Sequence, residues 1–246
     1  FERWHLLYSC ADDEVPGLGA AVYAEMHRPL SWLPFAETVR TLRRLRYELD
    51  VGARLATRSG LPYLGEHRFG TSAAIVMEDL GAVDLERRFG NTRVPLAEWL
   101  VLARKIALAL ADLHALGFAH GDVKPANVLS TVYGRVMLCD FGNSLTLGAS
   151  RRFASLGGTL AYIPPEQTGR TDRDLDHRAD LYSLGATLFQ LLVGRLPFEY
   201  DDPLALLHAH LARKAPLASS IARGVPAPVD ALLDRLLAKD PRDRYQ

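Results

Sequence analysis

Four polar residues in the middle of the chain could do phosphate chemistry together. Asp122, Lys124 and Asn127 stand in "HGDVKPANVLS", and Asp140 follows in "VMLCDFG". Val123 and Val128–Leu129 flank the first group, and Val136–Cys139 precedes the second. Such flanks pin a segment to a core and turn its polar side chains toward a shared cleft. Two carboxylates, one amide oxygen and one ammonium suit a magnesium–phosphate site: hard oxygens for the metal, a positive charge for a phosphoryl group.

The surrounding elements must hold these groups in place. Before about Asp84 the text reads as short strands with one helix. Apolar stretches at Trp4–Tyr8, Ala20–Tyr23 and Ala73–Met77 are separated by turn-forming groups such as "ADDEVPG" and "RSGLPYLG". Between them "AETVRTLRRLRYELDVGARLA" carries Val39, Leu42, Leu45, Leu49 and Val51 at helical spacing. After Glu86 long helices dominate. "PLAEWLVLARKIALALADLHALG" opens near Pro95, stops at Gly117 and is apolar nearly all round, which predicts a helix buried on most sides. "RADLYSLGATLFQLLVG" is a second apolar helix ending at Gly194, and two more follow around "DPLALLHAHLA" and "PAPVDALLDRLLA". The expected fold class is α+β: a small β-rich lobe over residues 1–80, a larger helical lobe over 81–246, joined near Glu78–Asp84.

Composition excludes several alternatives. Of the 246 residues 48% are hydrophobic and 24% charged, an ordinary globular mixture with material for one or two cores. Lys plus Arg and Asp plus Glu balance at 29 each, which argues against a nucleic-acid or membrane-surface partner. The apolar runs are too interrupted to span a bilayer, and no charged-then-apolar leader opens the chain. Cys10 and Cys139 make no disulfide framework, so a cytoplasmic location is expected. A start at Phe1 and an end at Gln246 suggest part of a longer protein with further domains.

The motifs, taken in order, resemble a eukaryotic-type protein kinase domain. "HGDVKPANVLS" is similar to the catalytic loop H-R-D-x-x-x-x-N, and "CDFG" to the metal-binding D-F-G. "GTLAYIPPE" resembles the end of an activation segment, "ADLYSLGATLFQLLVGRLPF" the central helix of the large lobe, and "LLAKDPRDRYQ" the closing arginine motif. "PPEQTGR" with "DHRADLYSLG" is most similar to kinase domains at the start of large multidomain bacterial sensor proteins. The resemblance implies ATP and Mg2+ as cofactors and a protein substrate. It implies that Asp122 accepts the substrate hydroxyl's proton, that Lys124 steadies the phosphoryl group, and that Asn127 and Asp140 hold magnesium. Lys124 and Thr159 match the serine/threonine pattern. Met77 falls at the gatekeeper, the backbones of Glu78 and Leu80 at adenine, Asp84 at the ribose and Leu129 among the nucleotide contacts. Asp180 matches the aspartate that holds the catalytic-loop backbone, and Glu166 with Arg244 a buried ion pair. His120 reads as a packed core histidine. His208 and His210, two apart on a helix, read as surface histidines that make a poor metal pair.

The first part of the chain departs from the family pattern. Glu48 matches the helix glutamate that pairs with a strand lysine, yet no Lys precedes Lys105 and Arg28 is the nearest basic residue. "VPGLGAAVYAE" is only loosely similar to the glycine-rich loop, with Gly17 on its middle glycine and Val22 covering adenine. Gly52 stands where an apolar spine residue is usual, which predicts a helix docked loosely or by something outside this chain. Gly121 replaces the arginine that partners a loop phosphate, pointing to altered control. A serine/threonine kinase is the first reading, and a pseudokinase serving as a regulatory or scaffolding module is the alternative. A small-molecule phosphotransferase, in whose relatives "HGD" also occurs, fits less well because "GTLAYIPPE" resembles a platform for a peptide.

Overall fold

A computed structural model describes residues 4–8, 22–26, 35–56, 58–69, 72–148, 159–171 and 173–246, with side chains from residue 45 onward except 66–69 and 72–74. Gly17, Arg28 and Cys10 lie outside the described residues. The chain adopts the expected α+β layout. Strands β1 (Trp4–Tyr8) and β2 (Val22–Met26) pair antiparallel, Tyr8 opposite Val22. Helix α1 (Phe35–Leu55) follows, then the antiparallel pair β3 (Tyr63–Phe69) and β4 (Ser72–Met77), with β2 lying against β4.

β3 corrects the sequence reading, which took "RSGLPYLG" as a turn. The Gly and Pro precede the strand or sit at a register shift between Tyr63 and Gly65, so the run from Tyr63 still pairs with β4. β2 also runs past the apolar stretch to Met26.

From β4 an irregular stretch over residues 78–82, bent at Gly81, leads to β5 (Val83–Asp84) and the short helix α2 (Leu85–Phe89). Helix α3 (Leu96–Ala115) comes next, with Gly117 at φ 84° turning the chain out of it. It is less buried than its composition suggests. Trp99, Leu102, Ile106, Leu110 and Leu113 face the core, whereas Leu100, Val101 and Leu108 are each about half exposed. Strands β6 (Phe118–Ala119), β7 (Val128–Ser130), β8 (Val136–Leu138) and β9 (Leu145–Thr146) form two small sheets, β5-β7-β8 and β6-β9.

The remaining helices are α4 (Arg178–Val193), α5 (Pro203–Ala212), α6 (Ala218–Ile221) and α7 (Ala227–Leu236). α4 is the hub: from Ala179 to Val193 every residue but Leu181 is buried. Gly194 at φ 83° ends it. Trp99 donates its indole N–H to the Leu188 carbonyl at 2.8 Å, tying α3 to α4.

Two apolar clusters result. The larger packs α3, α4 and α7 and takes in Val51 and Leu55 from α1. The smaller joins Leu45, Leu61, Ile75, Met77, Leu129 and Met137.

α1 is firmly docked, against expectation. A Cβ on Gly52 would lie 2.3 Å from the Tyr63 ring, so the missing side chain is the space that ring fills. Tyr63 in turn packs on Phe141, with centroids 6.3 Å apart. Tyr47 adds an edge-to-face contact with Phe118 and a 3.3 Å hydrogen bond with Thr146 Oγ1.

Candidate active site

The segment from His120 to Asn127 has no regular structure of its own until a 3-10 turn at Pro125–Asn127. Side chains from elsewhere must therefore hold it. Asp180, in the first turn of α4, accepts the backbone N–H of His120 at 2.7 Å on Oδ2 and that of Gly121 at 2.8 Å on Oδ1. His114 Nε2, from the end of α3, sits 2.8 Å from the same Oδ2. Thr187 Oγ1 donates to the Val123 carbonyl at 3.2 Å. His120 is fully buried, its Nε2 3.1 Å from the Cys139 carbonyl oxygen. It is the packed histidine expected.

On this platform Asp122 is nearly covered, and both its oxygens are engaged. Oδ2 lies 2.9 Å from Lys124 Nζ and 3.2 Å from Asn127 Nδ2; Oδ1 accepts the Thr159 backbone N–H at 2.9 Å. Burial alone would raise this carboxyl. The Lys124 ammonium, with hydrogen bonds from Lys124 and Thr159, outweighs it and holds the group below the ordinary carboxylate value. Lys124 Nζ also donates to Thr159 Oγ1 at 2.7 Å, so one threonine contacts both partners. Such a carboxylate stays ionised at neutral pH and can accept a proton from an incoming hydroxyl.

Asn127 is tied through the backbone to Cys139, the residue before Asp140. The Asn127 carbonyl accepts the Cys139 N–H at 3.1 Å, and Val128 pairs with Leu138 across β7 and β8. Asn127 Nδ2 is spent on the Asp122 carbonyl oxygen at 2.8 Å, which turns the amide oxygen away from Asp122. Asp140 is left-handed, φ 62° and ψ 71°; besides glycines it alone among the described residues has positive φ. That conformation costs roughly 1–2 kcal/mol and aims the carboxylate from a tight turn. Among the described residues no three His, Cys, Asp or Glu side chains converge on a metal. The donor set fits magnesium held by one carboxylate, one amide oxygen and phosphate oxygens of a substrate.

Three of the nucleotide residues expected from sequence belong to the smaller apolar cluster. Met77 and Leu129 are buried in it, and Leu80 packs on it. The Glu78 N–H is donated to the Pro62 carbonyl at 2.9 Å. Asp84 has a job the sequence reading missed. It caps α2, Oδ1 accepting the Arg87 N–H at 2.7 Å, with Oδ2 3.3 Å from Arg87 Nε. Glu48 is buried on α1. Val22 is placed only as a backbone position opening β2.

The segment after Thr159 is anchored by charge. Arg244, fully buried, forms a two-pronged pair with Glu166, at 2.5 and 2.9 Å, and gives further bonds to the Ala238 and Arg178 carbonyls. Gln167, beside Glu166, donates to the Gly121 carbonyl at 3.0 Å. His114, Gln167 and the bridging role of Thr159 were not read from the sequence. His210, taken for a surface histidine, is fully buried, 3.0 Å from the Tyr182 hydroxyl.

Comparison with known proteins agrees with this geometry. The family model described as protein kinase domain matches residues 41–246. The chain belongs to the protein kinase domain family. Relatives of this kinase domain include serine/threonine-protein kinase PksC of Streptomyces coelicolor, 37% identical over 71% of this chain and 33% of that protein. Serine/threonine-protein kinase PknL of Mycobacterium tuberculosis is 35% identical over 86% of this chain and 53% of that protein. Hybrid signal transduction histidine kinase G of Dictyostelium discoideum is 50% identical over 36% of this chain and 3% of that protein. The kinase domain thus spans between a third and about half the length of PksC and PknL. No described helix is long and apolar enough to cross a membrane.

Proposed function

We propose that this chain is an ATP-dependent serine/threonine protein kinase domain, divided near residue 80 and acting in the cytoplasm as part of a longer protein. The observation that carries the reading is Asp122: buried, kept ionised by Lys124, and closed over by Thr159 of "GTLAYIPPE". Asp122 takes the proton of a protein hydroxyl as that oxygen attacks the γ-phosphorus. Lys124, between Asp122 and Thr159, balances charge on the transferred group. Asn127 and Asp140 would hold magnesium, which when bound neutralises phosphate charge. Met77, Leu80 and Leu129 line the adenine side, with the Glu78 carbonyl and Leu80 backbone as its polar partners. Gly17, Val22 and Glu48 would complete the phosphate side, and Asp84 would reach the ribose. Control is of the kind without an arginine before the catalytic aspartate, because Gly121 offers a loop phosphate no cation.

One observation favours a second reading. β2 reads "VYAEM", and no lysine precedes Lys105, so no ammonium of this lobe is available to grip phosphates or pair with Glu48. On that reading the domain is a pseudokinase that scaffolds or regulates.

Melting curves with and without magnesium–ATP separate the two at the first step. Ligand bound only by the folded state stabilises it by RT ln(1 + [L]/Kd), so a raised Tm is expected. No shift at millimolar ATP would end the active reading. Labelled phosphate transferred to protein, and abolished by Asp122→Asn, would end the scaffold reading.

A further inference from the structure

The groups around Asp122 described so far hold its side chain, its own carbonyl, or the backbone of its neighbours His120, Gly121 and Val123. The peptide unit that carries the Asp122 nitrogen has its own partner. Its carbonyl is that of Gly121, and Gln167 Nε2 donates to it at 3.0 Å in a buried setting. The direction is unambiguous, because a carbonyl only accepts and the glutamine must present its N–H.

Three further observations make this contact a built one. The Gly121 N–H is held by Asp180 Oδ1 at 2.8 Å, so both polar groups of the residue have side-chain partners. The residue adopts φ 76°, and an added Cβ would lie 2.5 Å from the Asn143 carbonyl oxygen. Only glycine therefore permits this conformation, in which the carbonyl meets Gln167. Finally, Gln167 is buried and follows Glu166, which Arg244 clamps, in the 3-10 turn Pro165–Thr168.

We infer that Gln167 is a positioning residue for Asp122: its amide, bonded to the Gly121 carbonyl, latches the catalytic loop to the anchored end of the activation segment. The latch is uncharged and works without a phosphate. Its catalytic consequence rests on the phosphotransfer reading of Asp122; the latch itself does not.

The test uses Gln167→Glu, which keeps the shape but sets an oxygen against the carbonyl, and Gln167→Met, which keeps the length without a donor. Amide hydrogen exchange is followed across residues 118–124 and across α7, a remote reference. In both variants exchange at 118–124 should quicken by about tenfold or more while α7 is unchanged. The value of kcat should fall about tenfold with KM for magnesium–ATP within about twofold, since the orientation of the base is lost and nucleotide binding is not. Unchanged exchange at 118–124 overturns the latch, as does equal quickening in α7, which would mean general loosening. Unchanged kcat in a protein that does transfer phosphate overturns the positioning role. No transfer by the unsubstituted protein overturns the phosphotransfer reading and the catalytic half of the inference, while exchange still decides the latch.

Discussion

At residue 121 the question raised by the sequence was why a glycine replaces arginine, and the backbone supplies a reason independent of regulation. With φ 76° and a carbonyl oxygen 2.5 Å from any added Cβ, a side chain at this position is excluded. Gly121→Arg restores the usual family residue yet should damage the fold. The left-handed conformation alone costs about 1–2 kcal/mol in a residue with a Cβ, so a Tm lower by roughly 5 °C is expected once the clash is included. An unchanged Tm would contradict the backbone geometry. Asp122 makes a pH prediction. Its folded pKa is depressed, so its contribution to stability is present above the unfolded value near 4 and lost as pH falls through the lower folded value. Phosphate transfer should therefore show no acid limb from Asp122 above about pH 5 in a pH–rate profile. The motifs that carry Asp122, Lys124, Asn127 and Asp140 were legible because each is a short run of neighbouring residues. Gln167 and His114 were not, since they act on partners 46 and 66 residues away.

Among the elements, α1 shows how one local reading fails. A glycine inside a helix costs about 1 kcal/mol relative to alanine, which suggested weak docking. Packing reverses this, because the Tyr63 ring occupies the space over Gly52. Tyr63→Ala should cost roughly 2 kcal/mol, less than emptying a fully buried aromatic site. Gly52→Leu alone should cost as much through the clash. Combined, the two should recover part of the loss in denaturant titrations, and simple additivity would refute the ring-for-side-chain exchange. The contact of α5 with α4 carries a pH dependence. Burial, helped by the nearby Lys239 charge, pushes the His210 imidazole down to about 4. Between that value and the unfolded value near 6.5 the unfolded chain binds more protons, so stability falls as pH drops through this window. His210→Phe should flatten the acid side of a Tm–pH curve, provided the new ring keeps the contact with Phe198. The existence of α1, α3, α4, α5 and α7 was readable from periodicity. The exposed face of α3 was not, because apolar content says nothing about whether neighbours suffice to cover it.

For the whole molecule, the Glu166–Arg244 pair joins the end of the activation segment to the end of the chain, 78 residues apart, with both side chains buried. Glu166→Gln leaves a buried guanidinium without its counter-charge and should cost about 3–5 kcal/mol in chemical denaturation. A loss below about 1 kcal/mol would mean that the pair is solvated or replaceable. By itself the sequence determined the family and the α+β plan and put forward four polar residues for the proposed site, because motif spacing and hydrophobic period are properties of neighbouring residues. Tertiary structure alone decided that Thr159 bridges Asp122 and Lys124, that Gln167 grips Gly121, that Tyr63 fills the place of a Gly52 side chain and that His210 is interior. Those facts depend on which distant surfaces meet, and no local pattern encodes the shape of the space between two elements.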